Sequence, residues 1–224
     1  MSEWLTYSLS DFLMFSARTY YRQFELMNRE LWPLQLLMLG AGAVILACML
    51  RVRPAGPRIA FALLAVSWLC VAWIYHLQRY ADINTGAPYF AAGFCIQAGL
   101  LGWMALRKQL PSSTGRANRI GILIVLLALT VYPMLALADG RSWWQAEVFG
   151  LAPDPTVAAT LGALLFWRAP WPLWIIPLLW CAAGSATLMQ LRAPLPWLLP
   201  ALAFVSAGAA VTLTSGREQV AGTK

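Results

Sequence analysis

Long runs of mostly apolar residues, separated by short polar segments, follow one another from residue 31 to residue 214. A run of about 20 apolar residues matches the thickness of the hydrocarbon core of a bilayer, so each run predicts a transmembrane helix. The pattern predicts seven helices, at 31–50, 59–78, 87–106, 119–138, 155–168, 171–190 and 195–214. The fold class that we expect is therefore all-α, a polytopic membrane protein with seven transmembrane helices.

The fifth and sixth runs leave a second arrangement open. The fifth run is short, and only Arg168, Ala169 and Pro170 separate it from the sixth. A helical pair that enters the membrane and returns to the same side, buried within the protein, is the alternative to two full spans.

The first thirty residues mix apolar side chains with charges and contain no long apolar run. Arg18, Arg22, Glu25, Arg29 and Glu30 lie in this segment, and each charge would cost about 2.5 kcal/mol or more at the centre of a bilayer. We expect an amphipathic interfacial helix along the outer membrane surface, not an eighth span. The predicted organisation is an interfacial segment at 1–30, the seven-helix transmembrane domain at 31–214 and a polar C-terminal tail at 215–224.

The composition agrees with a membrane protein and excludes a large water-exposed domain. Apolar residues make up 60% of the 224 positions and charged residues only 11%, whereas a soluble domain carries about a quarter charged residues. The net charge of +7 comes mostly from short loops between the runs, so it does not indicate binding to nucleic acid. The expected partners are the lipid bilayer and a small solute or ion, and a homo-oligomer or a larger membrane complex stays open.

The loop charges predict on which side of the membrane each end of the chain lies. Basic residues are concentrated in the loops after the first and third runs: Arg51, Arg53, Arg58, Arg107, Lys108, Arg116 and Arg119. Because cytoplasmic loops are enriched in Lys and Arg, these two loops should face the cytoplasm. We therefore expect a multi-pass protein of the bacterial inner membrane, with its N-terminus outside and its C-terminus in the cytoplasm.

The densest polar cluster lies at the outer end of the second predicted span. It contains His76, the only histidine of the chain, and Arg79 and Tyr80 share its helical face because they follow at spacings of three and four residues. Trp73 should extend this face inward. An ionisable group at the membrane boundary is costly unless it has a partner, so His76 should face the bundle near its outer end rather than lipid. A simple interfacial anchor is the alternative role.

Polar groups on the neighbouring spans are the expected partners of His76. Gln97 places an amide in the middle of the third span, and Pro133, after Tyr132, interrupts the fourth span. Asn84 and Asp139 lie in the outer connections that follow the second and fourth spans. The predicted ligand-binding residues are His76, Arg79, Tyr80, Asn84, Gln97, Tyr132 and Asp139. We predict no catalytic residue, no metal site and no cofactor.

The longest outer connection, residues 139–156, is a candidate lid over the outer face. It contains two adjacent tryptophans, three acidic residues and a Pro-Asp-Pro-Thr sequence. Thr156 is expected to cap the fifth span. A purely structural loop is the alternative.

Several short motifs occur in a consistent order between about residue 12 and residue 210. They are Trp32-Pro33-Leu34-Gln35, Trp73 with Tyr75-His76, Asn84, Phe94 with Gln97, Tyr132-Pro133, Phe149-Gly150 with Pro153, Pro155 and Thr156, and Pro177 with Trp180 and Gly184. In these motifs the chain resembles a bacterial family of small membrane proteins, domain of unknown function 6064. The resemblance implies a seven-span protein and no particular activity.

Two positions depart from the pattern of that family. Members often carry His where Arg141 stands, and Cys between the two prolines where Asp154 stands. These departures argue against a metal site built on the two positions.

The sequence excludes several activities. A retinal protein needs a lysine in a late helix, but the only lysines are Lys108 and Lys224, and one histidine cannot supply bis-histidine haem ligation within the chain. No Walker or dinucleotide-binding glycine motif occurs. No acid falls in the middle of a predicted span, which argues against proton-coupled pumping.

Three interpretations of function remain. The first is a permease for a small solute or ion with an outward-facing polar site. The second is a structural or sensory membrane subunit without chemistry of its own. The third is an intramembrane enzyme that uses His76 with an outer carboxylate, Asp82 or Asp139.

The predicted orientation can be tested with reporter fusions. A fusion after Ser113, in the loop that follows the third span, and one after Gln145, in the loop that follows the fourth, should report opposite sides of the membrane. Alkaline phosphatase, which is active only outside the cytoplasm, should be active at Gln145 and inactive at Ser113. Activity at both positions or at neither would contradict the topology.

Overall fold

The computed structural model describes residues 15–51, 53–107 and 115–221, and these residues form helices joined by turns and loops. Eight α-helices follow one another in this part of the chain: α1 (Ala17–Glu30), α2 (Leu34–Arg51), α3 (Gly56–Cys70), α4 (Ala87–Leu106), α5 (Arg116–Ala138), α6 (Pro153–Phe166), α7 (Pro172–Gln190) and α8 (Leu198–Ala221). A π-helix (Val71–Leu77) continues α3, and short 3₁₀ turns lie at Tyr80–Asp82 and Trp143–Gln145. Residues 1–14 of the predicted interfacial segment and Lys108 lie outside the described residues.

Five segments are long and apolar enough to cross a membrane, and they match predicted spans one to four and six: Leu34–Arg51, Gly56–Asp82, Ala87–Leu106, Ala117–Ala138 and Pro172–Gln190. The expected all-helical fold is therefore confirmed, with helices of the kind that membrane proteins contain. α6 and the apolar stretch Leu198–Thr212 of α8 coincide with predicted spans five and seven, but both are shorter than the five segments above. The count of seven spans stays a prediction.

The helices run back and forth between two ends of the bundle. At the first, which we call the arginine end, α2 and α4 finish and α3 and α5 begin, and the Nε of Arg58 donates to the backbone oxygen of Ala105 at 3.4 Å. At the second, the α1 end, α1 lies together with the loops 78–86, 139–152 and 191–197. The arginine end carries the basic loops for which the sequence predicted a cytoplasmic location.

Helix α6 forms the centre of the bundle. All 14 of its residues are buried, and it packs against α3, α5, α7 and α8. A helix that is apolar on all sides is stable only inside a protein or a membrane. Its hydroxyl groups are satisfied within the core, where Thr160 accepts a hydrogen bond of 2.8 Å from Nε1 of Trp68. α6 thus holds the surrounding helices together.

Two glycines allow α5 and α6 to pack backbone to backbone. A Cβ atom at Gly162 would lie 2.6 Å from the backbone oxygen of Gly121, and a Cβ atom at Gly121 would lie 2.7 Å from the backbone oxygen of Gly162. Small residues at such crossings let membrane helices approach closely and gain packing energy. The pairing fixes the register of α6 against α5.

Helix α1 covers one end of the bundle with its apolar face. Tyr20, Tyr21, Phe24, Met27 and Asn28 are buried, and their spacing places them on one side of the helix. The rings of this face pack on the aromatic groups that follow α3, at the α1 end. The opposite face carries exposed charges, as the amphipathic pattern predicted. Contact of that exposed face with the membrane surface stays a prediction.

The glycine contact predicts that a single methyl group at residue 162 destabilises the fold. Gly162→Ala would place a Cβ atom against the backbone of α5, and overpacking of this kind costs about 1–3 kcal/mol. Thermal unfolding of the purified protein in detergent should therefore show a lower Tm for this variant.

The matched control is Gly99→Ala on the exposed side of α4, where no atom lies within 4 Å of the added Cβ. It should keep the wild-type Tm or raise it, because alanine favours helix more than glycine does. Equal Tm values for Gly162→Ala and Gly99→Ala would show that the close contact does not stabilise the bundle.

Candidate functional site

A cavity of about 120 Å³, with apolar walls and a group of ionisable side chains, lies at the α1 end, between α5, α6, α7 and α8. Exposed residues of the loop 191–197 form part of its rim, and leucines of α5, α7 and α8 form its apolar walls. Its polar lining consists of Tyr21, Tyr132, Asp139, Arg141, Glu147 and Asp154. These ionisable groups come from four different parts of the chain; Tyr21, Tyr132 and Asp154 are buried, and Asp139, Arg141 and Glu147 are half-buried.

The loop 139–152 reaches this cavity because it folds into the bundle. Val148, Phe149 and Leu151 are buried, and Gly150 has a φ of +79°, a conformation that favours glycine. The sequence predicted a lid over the outer face, whereas the second half of the loop is part of the interior. The loop therefore supplies both the cover and part of the lining of the cavity.

Asn28 of α1 holds the outer half of the loop in place. Its Nδ2 donates to the backbone oxygens of Trp144 and Ala146, both at 2.8 Å. Gln35 supports it in turn, because its Nε2 donates to the backbone oxygen of Asn28 at 2.8 Å. At the periphery, Nε2 of Gln145 donates to the carboxylate of Glu25 at 3.2 Å. Helix α1 and the loop thus form one connected cover.

Thr156 fastens the inner half of the loop to α6. Its Oγ1 accepts a hydrogen bond from the backbone N–H of Gly150 at 2.8 Å and donates to the backbone oxygen of Ala152 at 2.7 Å. The sequence predicted that Thr156 would cap this helix, but it lies inside α6, whose cap residue is Ala152. Pro153 and Pro155 shift the helix start to before Thr156, since proline fits the first turn, where its missing N–H is not needed.

Asp154 lies in the first turn of α6 and is 2% exposed. Its Oδ1 accepts a hydrogen bond of 2.8 Å from Nε1 of Trp180 on α7. Pro153 and Pro155 have no N–H group, so the first turn of α6 offers this carboxylate few backbone donors. No acid falls in the middle of a predicted span, but the carboxyl group of Asp154 is buried because α6 begins inside the protein.

Arg141 is the cation of the cavity lining, and other groups already engage it. Its Nε donates to Oδ2 of Asp139 at 2.9 Å, and its Nη1 donates to the backbone oxygen of Gln145 at 3.2 Å. The guanidinium also lies 3.7 Å from the centre of the Tyr21 ring, in a cation–π contact. These contacts fix the position of Arg141 at the edge of the cavity.

Glu147 is the second carboxyl group of the loop that lines the cavity. Burial raises its pKa above the usual range, the charge of Asp154 raises it further, and the charge of Arg141 lowers it. The two carboxyl groups, Glu147 and Asp154, influence each other's ionisation. The lining therefore contains a group that can change its protonation state at moderate pH.

Tyr132 contributes a hydroxyl group that is not used within the described protein. The residue is 4% exposed, lines the cavity and makes no hydrogen bond through its hydroxyl to any residue that the structure describes. A buried polar group without a partner is costly, so it indicates a place for a ligand or water. The sequence predicted Tyr132 and Asp139 as ligand-binding residues, and both lie in this cavity.

His76 lies apart from the cavity, in a pocket of aromatic rings. It is fully buried, as predicted, and its ring centre is 4.5 Å from that of Phe94 and 5.1 Å from that of Trp180. Neither ring nitrogen has a hydrogen-bond partner among the described residues. The predicted bonds to Asn84, Gln97, Tyr132 or Asp139 are therefore wrong.

The π-helix explains why the predicted helical face was only partly right. Wider i→i+5 winding over Val71–Leu77 breaks the α-helical spacing on which the prediction rested. Tyr75 and His76 both point inward, whereas Trp73 is 61% exposed and does not extend the face inward. Insertions of this kind are often found at functional sites.

The remaining predicted residues have structural contacts outside the cavity. Arg79 forms an ion pair with Glu30 of α1, and the ring of Tyr80 stacks on that of Tyr75 at 5.3 Å. Oδ1 of Asn84 accepts from the backbone N–H of Gly86 at 2.8 Å, and Nε2 of Gln97 donates to the backbone oxygen of Leu173 at 2.9 Å. The structure does not bring these side chains together with Tyr132 and Asp139.

Sequence reasoning missed four members of the site: Tyr21, Arg141, Glu147 and Asp154. Three of them belong to the segment that the sequence marked as a candidate lid, and its three acids were a usable signal. The sequence of the segment did not show how deeply its acids lie in the protein, because an acid in a connecting loop is normally exposed to water.

A family described as "Family of unknown function (DUF6064)" matches residues 17–221. Because the match covers most of the chain, the chain belongs to this family, which confirms the resemblance seen in the motifs. No curated protein and no solved structure matches the chain.

The raised pKa of Glu147 predicts that the protein loses stability as the pH rises. The carboxyl group holds its proton more tightly in the folded protein than in the unfolded chain, whose pKa has the ordinary value of 4.5. Its contribution is therefore fully present below that value and is lost as the pH rises through the folded-state pKa. Thermal unfolding in detergent should show a Tm that falls as the pH rises from 4.5 through the folded-state pKa of Glu147. The fall should be smaller for Glu147→Gln, because glutamine cannot ionise.

Asp82→Asn is the control, since this carboxyl group is exposed and lies at the same end of the bundle. It should keep the pH dependence of the wild type. A pH profile of Glu147→Gln as steep as that of the wild type would contradict the role assigned to Glu147.

Proposed function

We propose that this member of the family is a permease for a small solute and that the cavity at the α1 end is its binding site. The observation that carries the proposal is a cavity lined by ionisable side chains in a bundle that contains five segments long and apolar enough to cross a membrane. Ionisable groups within membrane proteins are costly and are usually retained for ion or substrate pathways.

The size of the cavity suits a small solute. A volume of about 120 Å³ corresponds to about four water molecules at their share of liquid volume. Leucine side chains line the cavity together with a few polar groups, a common combination in sites that orient a small ligand.

The cover of the cavity suits a gate. The outer half of the loop 139–152 is attached to α1 by the two hydrogen bonds from Asn28, the one from Gln145 to Glu25, and the cation–π contact of Arg29 with Trp144. Trp143 at its tip is 51% exposed. Because these contacts are made with α1 and not with α6, this half of the loop and α1 would move together to open the cavity.

The topology that accompanies this proposal is the one predicted from the loop charges. Seven spans would count α6 and α8 together with the five long segments, with the N-terminus outside the bacterial inner membrane. The α1 end would then face outward, and the solute would enter from that side.

The enzymatic alternative requires His76 to act with an outer acid. His76 has no hydrogen-bond partner among the described residues and packs against Phe94 and Trp180. No observation therefore favours acid–base chemistry at His76, whereas the cavity favours solute binding.

The permease is tested by uptake into proteoliposomes. The purified protein should be reconstituted and offered three radiolabelled probes of different charge: guanidinium, urea and chloride. We expect at least one probe to enter faster than into empty liposomes. Ala193→Trp should lower that rate at least tenfold, because Ala193 lines the cavity and an indole ring there would occupy it.

Ala92→Trp is the matched control, since Ala92 is exposed on α4, outside the cavity lining. It should transport like the wild type. If all three probes enter no faster than into empty liposomes, or if Ala193→Trp transports like Ala92→Trp, the proposal is wrong.

A further inference from the structure

The charges of the cavity lining do not balance. Three carboxyl groups line it, those of Asp139, Glu147 and Asp154, against one guanidinium, that of Arg141. Arg141 forms its ion pair with Asp139 at 2.9 Å. Glu147 and Asp154 form no ion pair with a residue that the structure describes. The two acids thus line the cavity without an ion-pair contact to a cation of the described protein, and Arg141, the cation nearby, is engaged by Asp139.

Carboxylates in such surroundings need a proton or a cation. A buried charge is costly unless it is paired and hydrogen-bonded. Asp154 receives one hydrogen bond, from Nε1 of Trp180 at 2.8 Å, which orients the carboxylate but leaves its charge uncompensated. A cationic ligand between the two acids would supply the missing charge.

The hydroxyl of Tyr132 is an independent sign of a ligand. Tyr132 is one of the residues that line the same cavity, its side chain is more than nine-tenths buried, and its hydroxyl oxygen has no hydrogen-bond partner among the described residues. A hydroxyl oxygen accepts hydrogen bonds from N–H groups. A ligand with several N–H groups could therefore donate hydrogen bonds to the two carboxylates and to this oxygen at the same time. A metal ion or a quaternary ammonium ion has no N–H group and could not donate these hydrogen bonds.

From these three features we infer that the cavity binds a small organic cation with N–H donors, of the guanidinium or alkylammonium class. A volume of about 120 Å³, which corresponds to about four water molecules in the liquid, accommodates a cation with a few non-hydrogen atoms. The inference names the substrate class of the proposed permease and rests on that proposal for transport, whereas binding can be measured without it.

Binding is tested on the purified full chain in detergent, with guanidinium chloride at concentrations up to about 10 mM, far below those that denature proteins. Tetramethylammonium chloride at the same concentration is the reference, because it has the same charge and no N–H donor. We expect guanidinium to raise the Tm in a saturable manner, as a ligand specific for the folded state does, and tetramethylammonium to leave it unchanged.

Separate variants test the three groups of the proposed site, the carboxyl groups of Asp154 and Glu147 and the hydroxyl of Tyr132. Asp154→Asn keeps an acceptor for Trp180 and removes the charge, and we expect the apparent Kd for guanidinium to rise at least tenfold. Glu147→Gln should act in the same direction and serves if Asp154→Asn does not fold. Tyr132→Phe should raise the Kd severalfold, since one acceptor is lost. Asp82→Asn, at an exposed acid of the same end, should bind like the wild type.

The outcomes distinguish this inference from the proposed function. Equal stabilisation by guanidinium and tetramethylammonium, or none by either, would overturn the cation class, and the permease would still stand if urea or chloride entered in a manner sensitive to Ala193→Trp. Saturable binding of guanidinium without uptake of any probe would leave the cation site standing and remove the permease. An unchanged Kd in both Asp154→Asn and Glu147→Gln would show that these carboxyl groups carry only protons.

Discussion

The complete burial of α6 is the constraint on which the candidate site depends. Its 14 residues measure about 21 Å, less than the roughly 30 Å of a hydrocarbon core. A helix of that length at the centre of the bundle has to begin inside the protein, where its first N–H groups and the preceding backbone need partners. The loop 139–152 therefore enters the bundle to reach the start of α6. There Oγ1 of Thr156 forms hydrogen bonds with the backbone of this loop. Glu147 and Asp154 reach the interior as a consequence of this geometry.

The same constraint explains how far the sequence could predict the molecule. Apolar runs locate helices because length and composition suffice, and each predicted span coincides with a helix. How deeply a residue lies within the bundle is a different quantity, because it depends on where the neighbouring helices end. Asp154 between two prolines has the sequence of an exposed helix start, and it is buried because neighbouring helices, among them α7 with Trp180, pack around the start of α6. The proximity of Tyr132 and Asp139 was predictable because Tyr132 lies in the last two turns of the long helix α5 and Asp139 directly follows its last residue.

His76 illustrates a second limit, which is periodicity. Its burial followed from the cost of an ionisable group at the membrane boundary, an argument that needs no detailed geometry. Its neighbours required the α-helical repeat, and the π-helix changes that repeat from Val71 onward. Trp73 consequently points outward, while Tyr75 packs on Phe24 of α1 at 5.3 Å. No residue type in this segment marks the change in winding, so the aromatic contacts of α1 could not be derived from spacing.

The bonds between α1 and the loop also set an order of assembly. Asn28 and its partner Ala146 are 118 positions apart, and Glu25 and Gln145 are 120 apart. A ribosome adds about 5–20 residues per second, so α1 leaves it well before the loop that it will hold has been made. During that interval its aromatic face can be covered first by the segment around Tyr75 and only later by the loop. The cavity is thus a late product of synthesis, completed when the two halves of the chain meet.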